Sequence, residues 1–179
     1  MKRFIAIISV LVLGVSATRA QQIATSSLYD MQGVFHNPSV AGVNKYGSIG
    51  ATYRSMWSGI DGSPKTTTVF GSAYLPSVKL GLGGYLYNDV TGPTRRTGLQ
   101  MAYAYHVPLQ NDASFSLGIE GRFQQYSIDK GKLSESLGAN DPVLAGAGNR
   151  FSADAGFGLG YTSRKFQAGA SVANLFQSK

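Results

Sequence analysis

Phe115, Leu117, Ile119, Gly121 and Phe123 alternate with Ser116, Gly118, Glu120, Arg122 and Gln124. Successive side chains of a strand point to opposite faces, so this stretch is a strand with one apolar face and one polar face. The same period of two recurs over residues 47–53, 67–75, 78–86, 99–107, 151–161 and 166–172. Together these make about seven strands, many of them roughly nine to eleven residues long, the length a tilted strand needs to cross a bilayer. Such alternation also suits a soluble sandwich with one face in its core. Two features favour the membrane. The polar faces carry glycine, serine and a few charges, Glu120, Arg122 and Asp154, as a crowded or wet lumen prefers. Tyr53, Tyr103, Tyr105, Phe123, Phe151 and Tyr161 lie toward strand ends, as interfacial girdles do.

The connections sort by length. Residues 55–65, 88–96 and 127–149 make long ones, and residues 76–77, 108–112 and 163–164 make short ones, in strict alternation. Outer-membrane barrels pair short periplasmic turns with longer external loops, and a soluble meander has no reason to sort them. The expected fold is therefore all-β, an antiparallel up-and-down transmembrane β-barrel. Its strand count is odd where bacterial single-chain barrels have even counts, and bare strand edges are costly in lipid. The barrel is expected to be incomplete: the front part of a longer protein, or a sheet that pairs its edges with another chain.

The start of the chain fits export. Lys2 and Arg3 precede an apolar run from Phe4 to Val15 that is too short to span a bilayer, and Thr18 and Ala20 flank a small-residue cleavage site. The expected division is a signal peptide over residues 1–20, a leader over 21–45 with a turn of helix near 26–32, and the partial barrel over 46–179. The net charge of +7 falls to +4 once Lys2, Arg3 and Arg19 are set aside, and no basic run marks a nucleic-acid footprint. The chain has no cysteine, hence no disulfide framework and no lipid-acceptor thiol.

The stretch from Arg54 to Thr66 holds the sole tryptophan, Trp57, with Asp61-Gly62 as a turn pair and Pro64 behind it. It is longer than a simple reversal needs and carries groups suited to binding. Catalysis has no comparable basis. His36 and His106 sit in no nucleophile elbow and no metal spacing. Gly156, Gly158 and Gly160 lie within a strand and open no helix, so they are no nucleotide loop, and alternating glycine instead lets bulky neighbours fill a small lumen. Asn140-Asp141 has too few carboxylates nearby for calcium. The chain is read as no enzyme, with no cofactor and no metal.

These motifs together resemble the PorP/SprF family of outer-membrane proteins from the type IX secretion and gliding machinery of Bacteroidota. Asn37-Pro38-Ser39-Val40-Ala41-Gly42 is similar to the family's Asn-Pro-Ala-Tyr-Ala-Gly. Arg54, Trp57, Gly59, Gly62, Pro64 and Thr66 fit its Arg-x-x-Trp-x-Gly-x-x-Gly-x-Pro-x-Thr block. Asn88, Asp89, Gly92 and Pro93 fit Asn-Asp-x-x-Gly-Pro, and Asp141-Pro142 fits a later Asp-Pro. Ala173-Asn174-Leu175 stands where the family has Pro-Asn-Leu. Family members are commonly longer, so the resemblance implies that later strands of the barrel are missing from this sequence.

The resemblance implies a non-enzymatic barrel in the outer membrane of a Gram-negative cell, supporting export or surface attachment of adhesins. Its partners would be outer-membrane lipid, other secretion-machine components and exported surface proteins. The alternative is a small channel for passive diffusion or ligand binding. Partner docking is expected at Arg54, Trp57, Asp61, Gly62, Pro64, Asn88, Asp89, Gly92 and Pro93, with Arg54 pairing Asp61 or Asp89. Glu120, Arg122 and Asp154 are expected to line the lumen as an ion-pair network.

Overall fold

The computed structural model describes residues 32–137 and 148–176. The expected signal peptide, nearly all of the helical turn near residues 26–32, and Asp141-Pro142 lie outside the described residues. One seven-stranded sheet runs in chain order, each strand antiparallel to the next. The strands are β1 (Ser48–Ser55), β2 (Lys65–Leu75), β3 (Leu80–Thr91), β4 (Thr94–Pro108), β5 (Ser114–Ile128), β6 (Arg150–Thr162) and β7 (Gln167–Val172). A short helix α1 (Gly33–His36) and a 3-10 turn (Pro38–Val40) precede the sheet, and α2 (Lys130–Leu137) follows β5. Among the described residues β1 and β7 each have one strand neighbour, so the sheet they form is open.

Burial follows the sequence alternation with its sense inverted. On β4 and β5, Leu99, Met101, Tyr103, Tyr105, Phe115, Leu117, Ile119 and Phe123 are exposed, while Gln100, Ala102, Ala104, His106, Ser116, Gly118 and Glu120 are buried. A soluble domain places its apolar parity inside, and here it faces out. The register aligns Ala51, Val69, Leu86, Leu99, Phe123 and Ala153 in one apolar row across six strands. A face of this kind is matched to hydrocarbon. Phe123, expected near a strand end, sits mid-sheet in the row of Leu99 and Ala153, and its ring stacks on that of Phe151 at the start of β6 with centroids 6.3 Å apart. Tyr103, expected near a strand end, sits mid-sheet in the row of Leu82, Ile119 and Phe157. Among the described residues no helix is long and apolar enough to cross a membrane.

The third connection differs from the expected long loop over residues 88–96. β3 continues through Asn88 and Asp89 to Thr91 and reverses at Gly92-Pro93. Asn and Asp usually leave strands because their side chains compete for backbone partners. Here the neighbours satisfy them: Thr97 Oγ1 donates to Asn88 Oδ1 at 3.0 Å, and Thr66 Oγ1 donates to Asp89 Oδ1 at 2.6 Å. Each threonine is the register partner of the group it holds. As a result β4 and β5 reach 15 residues, longer than the bilayer requires.

Candidate functional site

The buried apolar cluster is small: Val34, Ala41, Ala102 and Ala104. The first two belong to the segment before β1, which lies on the buried, polar face of the sheet. Three glycines make that close approach possible. A Cβ at Gly118 would overlap the backbone of Pro38 and Ser39, one at Gly81 would overlap the carbonyl of Ala41, and one at Gly158 would overlap Asn37 Oδ1. The space left by strand glycines is thus filled here by the N-terminal segment, where neighbouring bulky side chains were expected. At Gly156 the space is taken by the side chain of Glu120.

Hydrogen bonds fix the segment in this cradle. Gln100 Nε2 donates to the Val34 carbonyl at 3.0 Å and Arg122 Nη2 to that of Phe35 at 2.9 Å. Ser171 Oγ donates to the His36 carbonyl at 2.8 Å, and His106 Nε2 to that of Ala41 at 2.7 Å. The Asn37 side chain also reaches the sheet, donating Nδ2 to the Leu159 carbonyl at 3.0 Å. Its Oδ1 accepts from Ser39 N and Ser39 Oγ, capping the 3-10 turn. Burial holds the His36 imidazole below its ordinary pKa, and the Arg122 guanidinium adds to that.

Glu120 and Arg122 lie together on this face. Arg122 Nε is 2.7 Å from Glu120 Oε1, and Gln100 Nε2 donates to Glu120 Oε2 at 2.5 Å. Glu120 is 5% exposed, and a carboxylate so placed needs these donors. Asp154 is the register partner of Arg122, yet its Oδ1 accepts from the backbone of Ala155 and Phe176. The Arg122 guanidinium also lies over the Phe35 ring, 5.5 Å from its centroid.

Sequence reasoning missed Gln100, Ser116 and Ser171, and gave His106 no role. Gln100, His106 and Ser116 belong to the buried parity of their strands, which was their only signal, and Ser171 shares that face as the register partner of Gly158 on a strand that is exposed throughout. His106 Nδ1 and Ser116 Oγ are 2.8 Å apart, a distance at which an imidazole could activate a hydroxyl. Ser116 is 1% exposed, and the segment carbonyl of Ala41 takes the other ring nitrogen. A carbonyl only accepts, so Nε2 carries a hydrogen, and in that tautomer Nδ1 accepts a hydrogen bond from the Ser116 hydroxyl. The pair is a strut between sheet and segment.

The docking candidates gather at the opposite end of the long strands, on a rim made by the first, third and fifth connections. Gly92 N donates to the Gly62 carbonyl at 2.8 Å, and Asp129 N to that of Pro93 at 2.8 Å, so main-chain bonds join all three. Within the first connection Met56 N donates to Pro64 O, Ile60 N to Trp57 O and Ser63 N to Ile60 O. Trp57 has a left-handed backbone at φ 54° and is 66% exposed, and Ile60 beside it is exposed too. Of the expected partners of Arg54, Asp61 accepts from Gly62 N and Asp89 from Thr66 Oγ1. Arg54 pairs in register with Thr66, which in turn pairs with Asp89.

A sequence profile for the family described as "Type IX secretion system membrane protein PorP/SprF" matches residues 18–179. The chain belongs to the PorP/SprF family. It is therefore a membrane component of the type IX secretion system, and the outward apolar face agrees with that placement. No curated protein and no solved structure matches the chain. In this PorP/SprF chain the family-like Asn37-Pro38-Ser39-Val40-Ala41-Gly42 is the seated segment, and the Arg54–Thr66 block is the rim.

Proposed function

We propose that this PorP/SprF protein is a non-enzymatic component of the outer membrane that supports export or surface attachment of partner proteins such as adhesins. The rim is its docking platform. The observation that carries this reading is Trp57: a large aromatic, exposed and held in a left-handed backbone by a braced loop. Bulky residues rarely adopt that conformation, and strain of this kind concentrates at functional sites. Exposed aromatics on a rigid frame are also the usual anchors of interfaces. Pro64, Gly62, Gly92 and Pro93 set the frame; Asn88 and Asp89 hold it through the threonine bonds; Arg54, Asp61 and Trp57 meet the partner. Glu120, Arg122 and Asp154 line the inside.

The small-channel alternative has the seated segment against it, because residues 32–43 occupy the polar face that a diffusion path would use. The test replaces Trp57 by Ala and measures sheet stability in lipid and surface delivery of the cognate adhesin separately. Docking expects delivery to fail while stability is kept. Loss of both together, or of neither, rejects it.

A further inference from the structure

The seated segment shows what the polar face of the sheet can recognise. Gln100, Arg122, Ser171 and His106 present donors in series, and each meets a main-chain carbonyl. Carbonyls at peptide spacing are common to every extended or turning peptide, so these donors select a backbone path. Side-chain selectivity comes from elsewhere. Ser39 and Ala41 are buried, so their places admit only small residues, and the carbonyl of Leu159 selects an amide donor such as Asn37.

We propose that this face is a peptide-binding cradle, filled in cis by residues 32–43, which a segment of another protein chain with the same chemistry can enter: small residues around an Asn-Pro turn, read through main-chain carbonyls. The segment seats Val34, Pro38 and Ala41 as its buried apolar side chains, and one further observation supports its exchange. Its tether, residues 44–47, is exposed, follows left-handed Gly42 at φ 69° and contains a second left-handed position, Lys45 at φ 59°. The cradle is independent of the rim, so either can fail while the other stands.

The absence of cysteine permits a clean test. A Cβ at Gly160 would lie 3.4 Å from Ser39 Cβ, close to the separation of roughly 3.5–4.5 Å that disulfides span. A protease site is inserted between Lys45 and Tyr46 in the full chain, held in lipid vesicles, and the tether is cut. The probe is a fluorescent peptide with the sequence of residues 32–43. Exchange expects the cut segment to wash out and the probe to bind saturably, with the sheet's circular dichroism unchanged. A probe carrying Asn37→Ala should bind about tenfold more weakly, the effect of losing a hydrogen bond or two. The oxidised Ser39→Cys/Gly160→Cys pair should abolish probe binding, and reduction should restore it. The proposal is overturned if the cut segment stays through washing, if its release unfolds the sheet, or if a scrambled peptide binds as well as the probe.

Discussion

Arg122 and Asp154 face one another across β5 and β6, yet Arg122 turns its guanidinium to Glu120 on its own strand and to the carbonyl of Phe35. Two residues of one strand share a face, so the ion pair lies along β5 and leaves Asp154 to cap backbone groups. The pair therefore couples the sheet to the seated segment.

Removing Arg122 should be more damaging than removing the pair. Arg122→Ala leaves Glu120 buried beside Gln100 alone, which in comparable buried pairs costs roughly 3–5 kcal/mol. Arg122→Met with Glu120→Leu should recover most of that loss. Urea unfolding in vesicles, followed by circular dichroism, measures both. Equal losses in the single and double variants would contradict the assignment.

The two faces of β5 predict opposite failures. Ile119 is 59% exposed on the outward face, and Ile119→Arg should cost roughly 2–4 kcal/mol in lipid while the segment stays seated. Gly118→Ala lies one residue away on the cradle face and should displace the segment instead, because the new methyl overlaps Pro38 and Ser39. Protease cleavage after the residues of α1 reports the seat, and denaturant unfolding reports the sheet. A Gly118→Ala chain whose segment is as protected as in the wild type would refute the close approach.

Trp57 offers a test of stored strain. A left-handed backbone is disfavoured by roughly 1–2 kcal/mol for a residue with a Cβ, partly offset in glycine by its greater unfolded freedom. Trp57→Gly should therefore be more stable than Trp57→Ala by roughly 1 kcal/mol, although both remove the same exposed ring. Paired melting curves in one lipid decide it, and a less stable glycine variant would mean that the loop does not keep φ 54° in solution.

Strand parity was legible from residues alone because a period of two admits one arrangement of faces. Leu117, Ile119 and Phe123 could be separated from Glu120 and Arg122 before any coordinates. The seat of residues 32–43 was not legible. It is read through carbonyls, which leave no side-chain signature, and its room comes from glycines that read equally well as lumen filler. The bonds of Gln100 and His106 depended on which turn of the segment lies opposite them. The third connection was misjudged because Asn88, Asp89, Gly92 and Pro93 are all loop formers taken singly. Only the register brings Thr66 and Thr97 to their side chains.

Acid should loosen the seated segment through His36. Its imidazole is held below the ordinary value of about 6.5, chiefly by burial and further by the positive charge of Arg122 on β5. The Phe35 ring lies edge-on to it with centroids 5.2 Å apart, and Ser171 Oγ binds the His36 carbonyl. The sign follows from linkage. Above about pH 6.5 the imidazole is neutral whether the segment is seated or released, so His36 contributes no pH dependence. As pH falls below that, the released segment takes up a proton that the seated one resists, and seating weakens until the lowered pKa is passed. Protease nicking near α1 should therefore be faster at pH 5.5 than at pH 7.5, with both rates corrected for the protease's own pH profile on an unfolded substrate. His36→Gln should remove most of that difference. A slope that persists unchanged in His36→Gln would assign the acid response to another group.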